Sequence, residues 1–195
     1  MKSQAQVVVI GGGVVGASVL YHLTKAGWTD VVLVERTELT AGSTWHSAGG
    51  MHTLNGDPNV AKLQQYTITL YEEIEKESGM DASMHITGGV MLADTPERMD
   101  WLKMSHARGR YLGMETELIS AEEAQELLPI LDPQYFVGAM WDAHEGHLDP
   151  SQITHAYLEC ARNRGAETHR HSWVRDITRA ADGGWDLTVY DPRTD

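Results

Sequence analysis

The chain has 195 residues, of which 42% are hydrophobic, enough for a real core in one large domain or two small ones. Its 28 acidic residues against 15 basic ones give a net charge of −13, which argues against nucleic acid or an anionic membrane surface as partner. A single cysteine excludes an internal disulfide and any all-cysteine metal site.

The chain enters an apolar run, Val7-Val8-Val9-Ile10, within a few residues of Met1. That leaves no room for a signal or transit peptide and points to a cytoplasmic setting. No apolar run is long enough to span a bilayer, so no membrane association is expected. The run leads into Gly11-Gly12-Gly13-Val14-Val15-Gly16, then a helical pattern from Val14 to Ala26, then a second run, Val31-Val32-Leu33-Val34, closed by Glu35. Strand, glycine turn, helix, strand and acid in this order are the outline of a dinucleotide-binding βαβ unit. Gly11 serves the tight turn, Gly13 lets backbone approach a pyrophosphate, and Gly16 lets helix and strand pack closely. The helix N-terminus offers unpaired N–H groups to the phosphates. Glu35 can accept from ribose hydroxyls and would repel a 2′-phosphate, which disfavours NADP. The bland alternative is a glycine-rich turn in an ordinary α/β protein.

From Arg36 to Gly50 the residues are small and polar, as in a loop. Ligands collect at the carboxyl ends of strands in a doubly wound sheet, so this loop starts where it can return across the same cofactor. Asn59 to Ser78 reads as a long helix with Leu63, Tyr66, Leu70 and Ile74 as its apolar stripe, started by Asp57-Pro58-Asn59 and stopped by Gly79. Met84 to Ala93 reads as a strand bent at Gly88-Gly89. A helix from about Pro96 to Tyr111 is capped by Thr95. Glu117-Leu118-Ile119 reads as a short strand, and Ser120-Ala121-Glu122-Glu123 as a capping box opening a helix that ends before Pro129.

Tyr135 to Trp141 is the next strand candidate, and His144-Glu145-Gly146-His147-Leu148-Asp149-Pro150 a polar turn. Those histidines and acids have the residue types of a metal site. Gly146 and Pro150 mark a turn, whereas a zincin pair sits four apart on one helix, so no metal is expected. Ser151 to Asn163 is helical with Ile153, Ala156, Tyr157 and Cys160 at helical spacing, and Cys160 reads as a buried structural thiol. Glu167 to Arg170 reads as a strand, with His169 and His171 at the surface. Trp173 to Ala180 and Trp185 to Tyr190 form a hairpin around Asp182-Gly183-Gly184. The tryptophans read as core or edge residues. A dinucleotide-binding sheet needs more parallel strands than these, so the fold is expected to be incomplete at the C-terminus.

The glycine unit followed by Ala41-Gly42-Ser43-Thr44-Trp45-His46-Ser47-Ala48-Gly49 resembles the FAD-dependent amine oxidoreductases of the D-amino-acid-oxidase-like superfamily, and more narrowly the dimethylglycine and sarcosine dehydrogenases. The similarity runs on through Tyr71-Glu72, Thr87-Gly88-Gly89-Val90 and Gly146-His147-Leu148-Asp149-Pro150, and covers essentially the whole chain. It departs at Ser47 and Gly50, where the pattern more often has alanine and a larger apolar residue.

The resemblance implies an α/β, Rossmann-like FAD-binding fold with an inserted α+β substrate subdomain. Within one FAD-dependent oxidoreductase domain, nucleotide-binding parts at about 1–80 and 151–195 would flank a substrate-side subdomain at about 81–150. Gly11, Gly13, Val14, Val15 and Gly16 would line the FAD pyrophosphate, with Glu35 at the adenosine ribose, Arg36 beside it, and Val174 touching adenine through its main chain. Gly42, Ser43, Thr44, Trp45, His46, Ser47, Ala48, Gly49 and Gly50 would wrap the flavin end. His46 matches the histidine bonded to the flavin 8α-methyl carbon, so the resemblance implies FAD as the cofactor, with a covalent attachment there.

The implied activity is oxidation of a secondary or tertiary N-methyl amine by hydride transfer to flavin, with a small-molecule amine as partner and the electron acceptor open. The substrate clamp and any base would lie in residues beyond these, so no catalytic side chain is expected here. Two alternatives stay open: a non-catalytic member of the superfamily acting as a regulatory or binding module, and an NAD-linked dehydrogenase. The second leaves the loop from Gly42 to Gly50 unexplained.

Overall fold

The computed structural model describes residues 1–194. They divide into two units: Met1–Ala48, Glu72–Ser83 and the chain from Asp149 onward in the first; Gly49–Tyr71 and Met84–Leu148 in the second. Neither unit is continuous in sequence. Residues 49–71 belong with the second, which breaks the expected run of about 1–80.

The first unit is built on a parallel sheet with β2 (Val31–Val34) in the middle, β1 (Val7–Ile10) on one side and β8 (Glu167–His169) on the other. Val7 pairs with Val31 and Val32 with Glu167. All four β2 residues are buried, as expected of a strand covered on both faces, and this is why it reads as an unbroken apolar run. Helix α1 (Val14–Lys25) packs against α5 (Pro150–Asn163). The Tyr21 and Tyr157 rings meet edge-on with centroids 5.4 Å apart. Helix α5 is fixed at its start by Asp149, whose carboxylate accepts from the N–H groups of Ser151 and Gln152 at 2.7 and 2.9 Å. Cys160 is fully buried, its sulfur 3.9 Å from the Ile74 carbonyl oxygen. Burial, with the Glu77 carboxylate as the next cause, pushes its thiol up to about 12. The antiparallel hairpin of β9 (Trp173–Arg179) and β10 (Trp185–Tyr190) completes this unit.

The second unit centres on an antiparallel sheet with β6 (Gly138–Asp142) between β4 (Gly89–Ala93) and β5 (Thr116–Ile119). Period-two alternation sends neighbouring residues to opposite faces. Ala93 and Met140 pack with Leu102 of α3 (Pro96–Tyr111), while Ala139 packs with Ala124 of α4 (Ala121–Leu127) and with Leu131. The expected caps are present: Thr95 accepts from Arg98 N–H at 3.2 Å, and Ser120 and Glu123 form a reciprocal capping box. A short ribbon pairs β3 (Gly50–Met51) with β7 (Gly146–His147), and His85 bridges to His147.

Helix α2 (Pro58–Ser78) begins in the second unit and ends in the first. Asp57 caps it, accepting from Asn59 and Val60 N–H at 2.7 and 3.1 Å.

Several sequence expectations are corrected. Leu70 and Ile74 are buried, but Leu63 and Tyr66 are exposed; Ala61 takes the buried place in the first half of α2. The strand expected from Met84 starts only at Gly89, because Gly88 has φ +73° and the Trp141 ring occupies the space of a Cβ there. The strand expected from Tyr135 starts at Gly138, after a 3-10 turn at Pro133–Tyr135. The turn at His144–Pro150 contains β7. Of the tryptophans expected at core or edge, Trp173 and Trp185 lie on the two-stranded β9–β10 hairpin, while Trp28, Trp45 and Trp101 are exposed and not core. Three carry an arginine on the ring face: Arg98 on Trp101, Arg175 on Trp173 and Arg179 on Trp185. Among the described residues no helix is long and apolar enough to cross a membrane.

Candidate dinucleotide site

In the first unit, Gly11 leaves β1 with φ +111° and donates its N–H to the Val34 carbonyl at 2.9 Å. That conformation suits glycine, and it reverses the chain directly into α1. A Cβ on Gly16 would collide with the Gly11 carbonyl oxygen, so the first helical turn lies on the glycine turn only because residue 16 has no side chain. A Cβ on Gly13 would meet the Thr44 hydroxyl at 3.0 Å, and one on Gly12 would meet Leu39 Cδ2 at 2.7 Å.

Helix α1 starts at Gly13, which has no side chain to cap it, and its first turn contains no acidic residue. The cap comes instead from the following loop: Val14 N–H donates to Thr44 Oγ1 at 3.0 Å. Ala17 N–H makes the first intrahelical bond, to Gly13 at 3.0 Å. The Val15 and Gly16 amides, beside the 75% exposed Val15 side chain, have no partner among the described residues. Two free N–H groups at the positive end of a helix dipole, with no side chain in the way, form an anion cradle.

Glu35 stands at the end of β2. One carboxylate oxygen accepts from Gly12 N–H at 2.8 Å, and the other from Thr37 N–H at 2.8 Å and its hydroxyl at 3.0 Å. Partial burial opposes ionisation. The bonds from Gly12 and Thr37, with the Arg36 charge, outweigh it and hold this carboxyl below the usual carboxylate range. Three donors leave acceptor capacity for one more, such as a ribose hydroxyl. Arg36 is exposed.

The loop after Glu35 is fastened to the cradle. Thr40 (φ +67°) donates its N–H to the Gly12 carbonyl at 3.0 Å and accepts from the Ser151 hydroxyl at 3.2 Å. Trp45 N–H returns to the Thr40 carbonyl at 3.2 Å. Thr44 is buried, while Gly42, Ser43, Trp45, His46, Ser47 and Ala48 are exposed. The His46 ring lies 5.4 Å from the Trp45 ring, tilted by 54°. Gly49 and Gly50 belong to the second unit, Gly49 buried with φ +75° and Gly50 opening β3. Val174 is half-buried in β9, two residues past Ser172, whose N–H donates to the Glu35 carbonyl at 2.7 Å. The structure therefore gathers Gly11, Gly13, Val14, Val15, Gly16, Glu35 and the run 42–48 around one end of the parallel sheet. The roles of Thr40 and Thr44 were not legible in the sequence, because their bonds join residues far apart in the chain, whereas Thr37 bonds Glu35 from two residues away in a loop with no periodic signal.

The remaining polar clusters have other partners. Glu38 pairs with Arg170 at 2.6 Å and His171 at 2.9 Å, which ties the loop after β2 to the loop after β8. In the second unit Glu145 pairs with His52 at 3.0 Å, and Asp142 accepts from the Thr53 hydroxyl. No group of three or more His, Cys, Asp or Glu side chains among the described residues is placed to hold a metal ion.

Tested as an FAD cradle, these residues fit: the Gly16 notch, the free amides, the absence of an acid in the first turn and the spare acceptor on Glu35 all suit a dinucleotide. Residues 6–194 match the DAO family, described as FAD dependent oxidoreductase. Human mitochondrial dimethylglycine dehydrogenase is 40% identical over 186 residues, which is 95% of this chain and 22% of that protein. The mitochondrial pyruvate dehydrogenase phosphatase regulatory subunit of Mus musculus is 36% identical over 177 residues, 91% of this chain and 20% of that protein. The solved L-proline dehydrogenase of P. horikoshii superposes with a TM-score of 0.86 at 26% identity, covering 93% of this chain and 48% of that one. The chain thus spans about a fifth of the curated relatives it matches.

Proposed function

This chain belongs to the FAD dependent oxidoreductase family, and we propose that it forms part of a flavoprotein that oxidises a secondary or tertiary N-methyl amine of the dimethylglycine or sarcosine kind. FAD is the cofactor of the family, and when bound it supplies the acceptor for the hydride removed from the amine. The protein's part is to hold and orient. The Val15 and Gly16 amides bind the pyrophosphate, assisted by the small residues at Gly11 and Gly13 and the backbone of Val14. Glu35, with Arg36 beside it, fixes the adenosine ribose, and Val174 borders the adenine. The run from Gly42 to Gly50 borders the flavin, with His46 as its covalent anchor through an imidazole nitrogen. The first unit carries nucleotide binding, and the second the substrate side. A cytoplasmic setting is proposed on the single cysteine, which excludes an internal disulfide.

One observation carries this reading. The Thr44 hydroxyl caps the same helix turn whose amides make the anion cradle, so His46, two residues on, belongs to a loop fixed to that cradle. The name of the 40% identical human relative supports the choice of amine. A second reading, a binding or regulatory module without turnover, is favoured by the similarity to the phosphatase regulatory subunit.

A visible spectrum of the purified chain tests the first reading. Flavin absorbance that stays with acid-precipitated protein, and is lost in His46→Ala, is the expected outcome. FAD released completely by acid refutes the bond to His46. A colourless chain that binds NAD refutes the flavin reading altogether. Flavin retained without any reduction by dimethylglycine or sarcosine, in a chain extended to its relatives' length, favours the regulatory module.

A further inference from the structure

The second unit holds two histidines side by side to which nothing above gives a role. His85, which precedes β4, donates its N–H to the carbonyl of His147 in β7 at 2.8 Å, and His147 N–H returns to the His85 carbonyl at 3.0 Å. Residues that exchange both bonds in this way carry their side chains on one face of the ribbon. Both imidazoles are exposed there, with ring centres 5.2 Å apart and planes tilted by 41°. The backbone beneath them is closely packed: a Cβ on Gly146 would meet the His85 carbonyl carbon at 3.0 Å.

Of the ten histidines, His22, His52, His106, His144, His169 and His171 each have a polar partner at a ring nitrogen. Among the described residues the rings of His85 and His147 have none, and they touch only each other. Imidazole nitrogen suits Cu²⁺, Ni²⁺ and Zn²⁺, whereas Mg²⁺ and Ca²⁺ prefer oxygen. Two imidazoles sharing one ion, each with a nitrogen about 2.0–2.1 Å from it, have ring centres roughly 4.5–5 Å apart for square or tetrahedral angles at the ion. The observed separation is a small rotation away from that, and the χ2 torsion of histidine is broad enough to supply it. A net charge of −13 adds a general attraction for cations.

We propose that His85 and His147 form a bidentate site for a divalent transition-metal ion, with water in the remaining positions. Two protein ligands fall short of the three that hold a catalytic zinc, so the ion exchanges with solution and is not a resident cofactor. It staples residue 85 to β7 from the solvent side. His147 lies in the turn that makes no metal site from its own residues; its partner here comes from a different part of the chain. The site stands independently of the flavoprotein reading.

The test is titration of the tag-free, metal-stripped full chain with copper(II), the ion in this series that nitrogen sites bind most tightly, read by EPR. The expected result is one tightest ion per chain, with two imidazole nitrogens in its spectrum and no displacement by excess Mg²⁺. His85→Gln and His147→Gln should each weaken that ion at least about ten-fold, while His169→Gln, in the other unit, leaves it unchanged. If one substitution at the pair unfolds the protein, the other carries the same test, and the wild-type spectrum needs neither. A tightest site that survives either folded substitution, that His169→Gln weakens equally, or whose spectrum holds a single imidazole nitrogen overturns the proposal. Flavin absorbance of the same protein bears on the proposed function alone.

Discussion

Replacing Thr44 by valine isolates the bond that joins the glycine turn to the loop after β2. Valine matches threonine in shape, so packing at this buried position (8% exposed) is kept while the acceptor for Val14 N–H is lost. Loss of an N-cap acceptor costs about 0.5–2 kcal/mol. A valine methyl group in place of the hydroxyl also leaves the Val14 donor facing apolar atoms, which puts the effect at about 1–2 kcal/mol. For a chain of this size that corresponds to a fall in Tm of roughly 2–8 °C. Thr44→Ser restores the acceptor and should recover most of the loss. Differential scanning calorimetry of the three proteins measures it, and acid precipitation gives the fraction of flavin retained. Thr44→Val should lower both quantities. A variant with wild-type Tm and wild-type flavin retention would show that the cap contributes nothing and that the loop is held elsewhere.

Gly16→Ala drives a Cβ into the Gly11 carbonyl oxygen, and overpacking against backbone of this kind costs about 1–3 kcal/mol. Urea unfolding should show the loss, and FAD titration should show no saturable uptake; a stable variant with normal FAD affinity would contradict the close approach described above. The lowered carboxyl pKa of Glu35 makes its contribution present above the unfolded-state pKa and lost as pH falls through the folded-state value. Glu35→Gln should therefore flatten the acid limb of the stability–pH curve, and an unchanged limb would remove Glu35 as its cause. The Cys160 thiol, pushed up to about 12, should resist a thiol reagent at pH 8 in the native protein and react fully once it is unfolded. Fast labelling of the native chain would contradict its burial.

What the sequence shows best is what neighbours along the chain decide. Val31–Val34 announces a central parallel strand because every residue of it is buried. Thr95 and Ser120 announce their helices because each cap lies within three residues of the N–H it accepts from. Glycine spacing locates the turn after β1 because the φ of Gly11 and the missing Cβ of Gly16 are local requirements. The reading fails where the partner is remote. Thr44 caps a helix thirty residues earlier, and no pattern within a window of the chain contains both. The strand expected from Met84 starts late, at Gly89, because a tryptophan from β6 fills the place of a side chain at Gly88. Leu63 and Tyr66 continue the helical stripe of Leu70 and Ile74 but stay 62% and 48% exposed, so periodicity there outran packing.

The discontinuity of the first unit fixes an order of events as the chain is made. Strand β2 cannot gain its second neighbour until Glu167 has been synthesised, since Val32 pairs with that residue. The β4–β6–β5 sheet, drawn from Gly89 to Asp142, has all its strands available earlier. Closing so long a loop adds only logarithmically to the entropy cost, a few kcal/mol by the (3/2)RT ln n relation, so the delay is one of timing more than of stability. During that interval α1 lacks α5, and the edge-on contact of Tyr21 with Tyr157 cannot form. A nascent chain stalled before Asp149 would therefore carry a formed second unit tethered to an open, apolar βαβ hairpin, the species most exposed to chaperones and proteases.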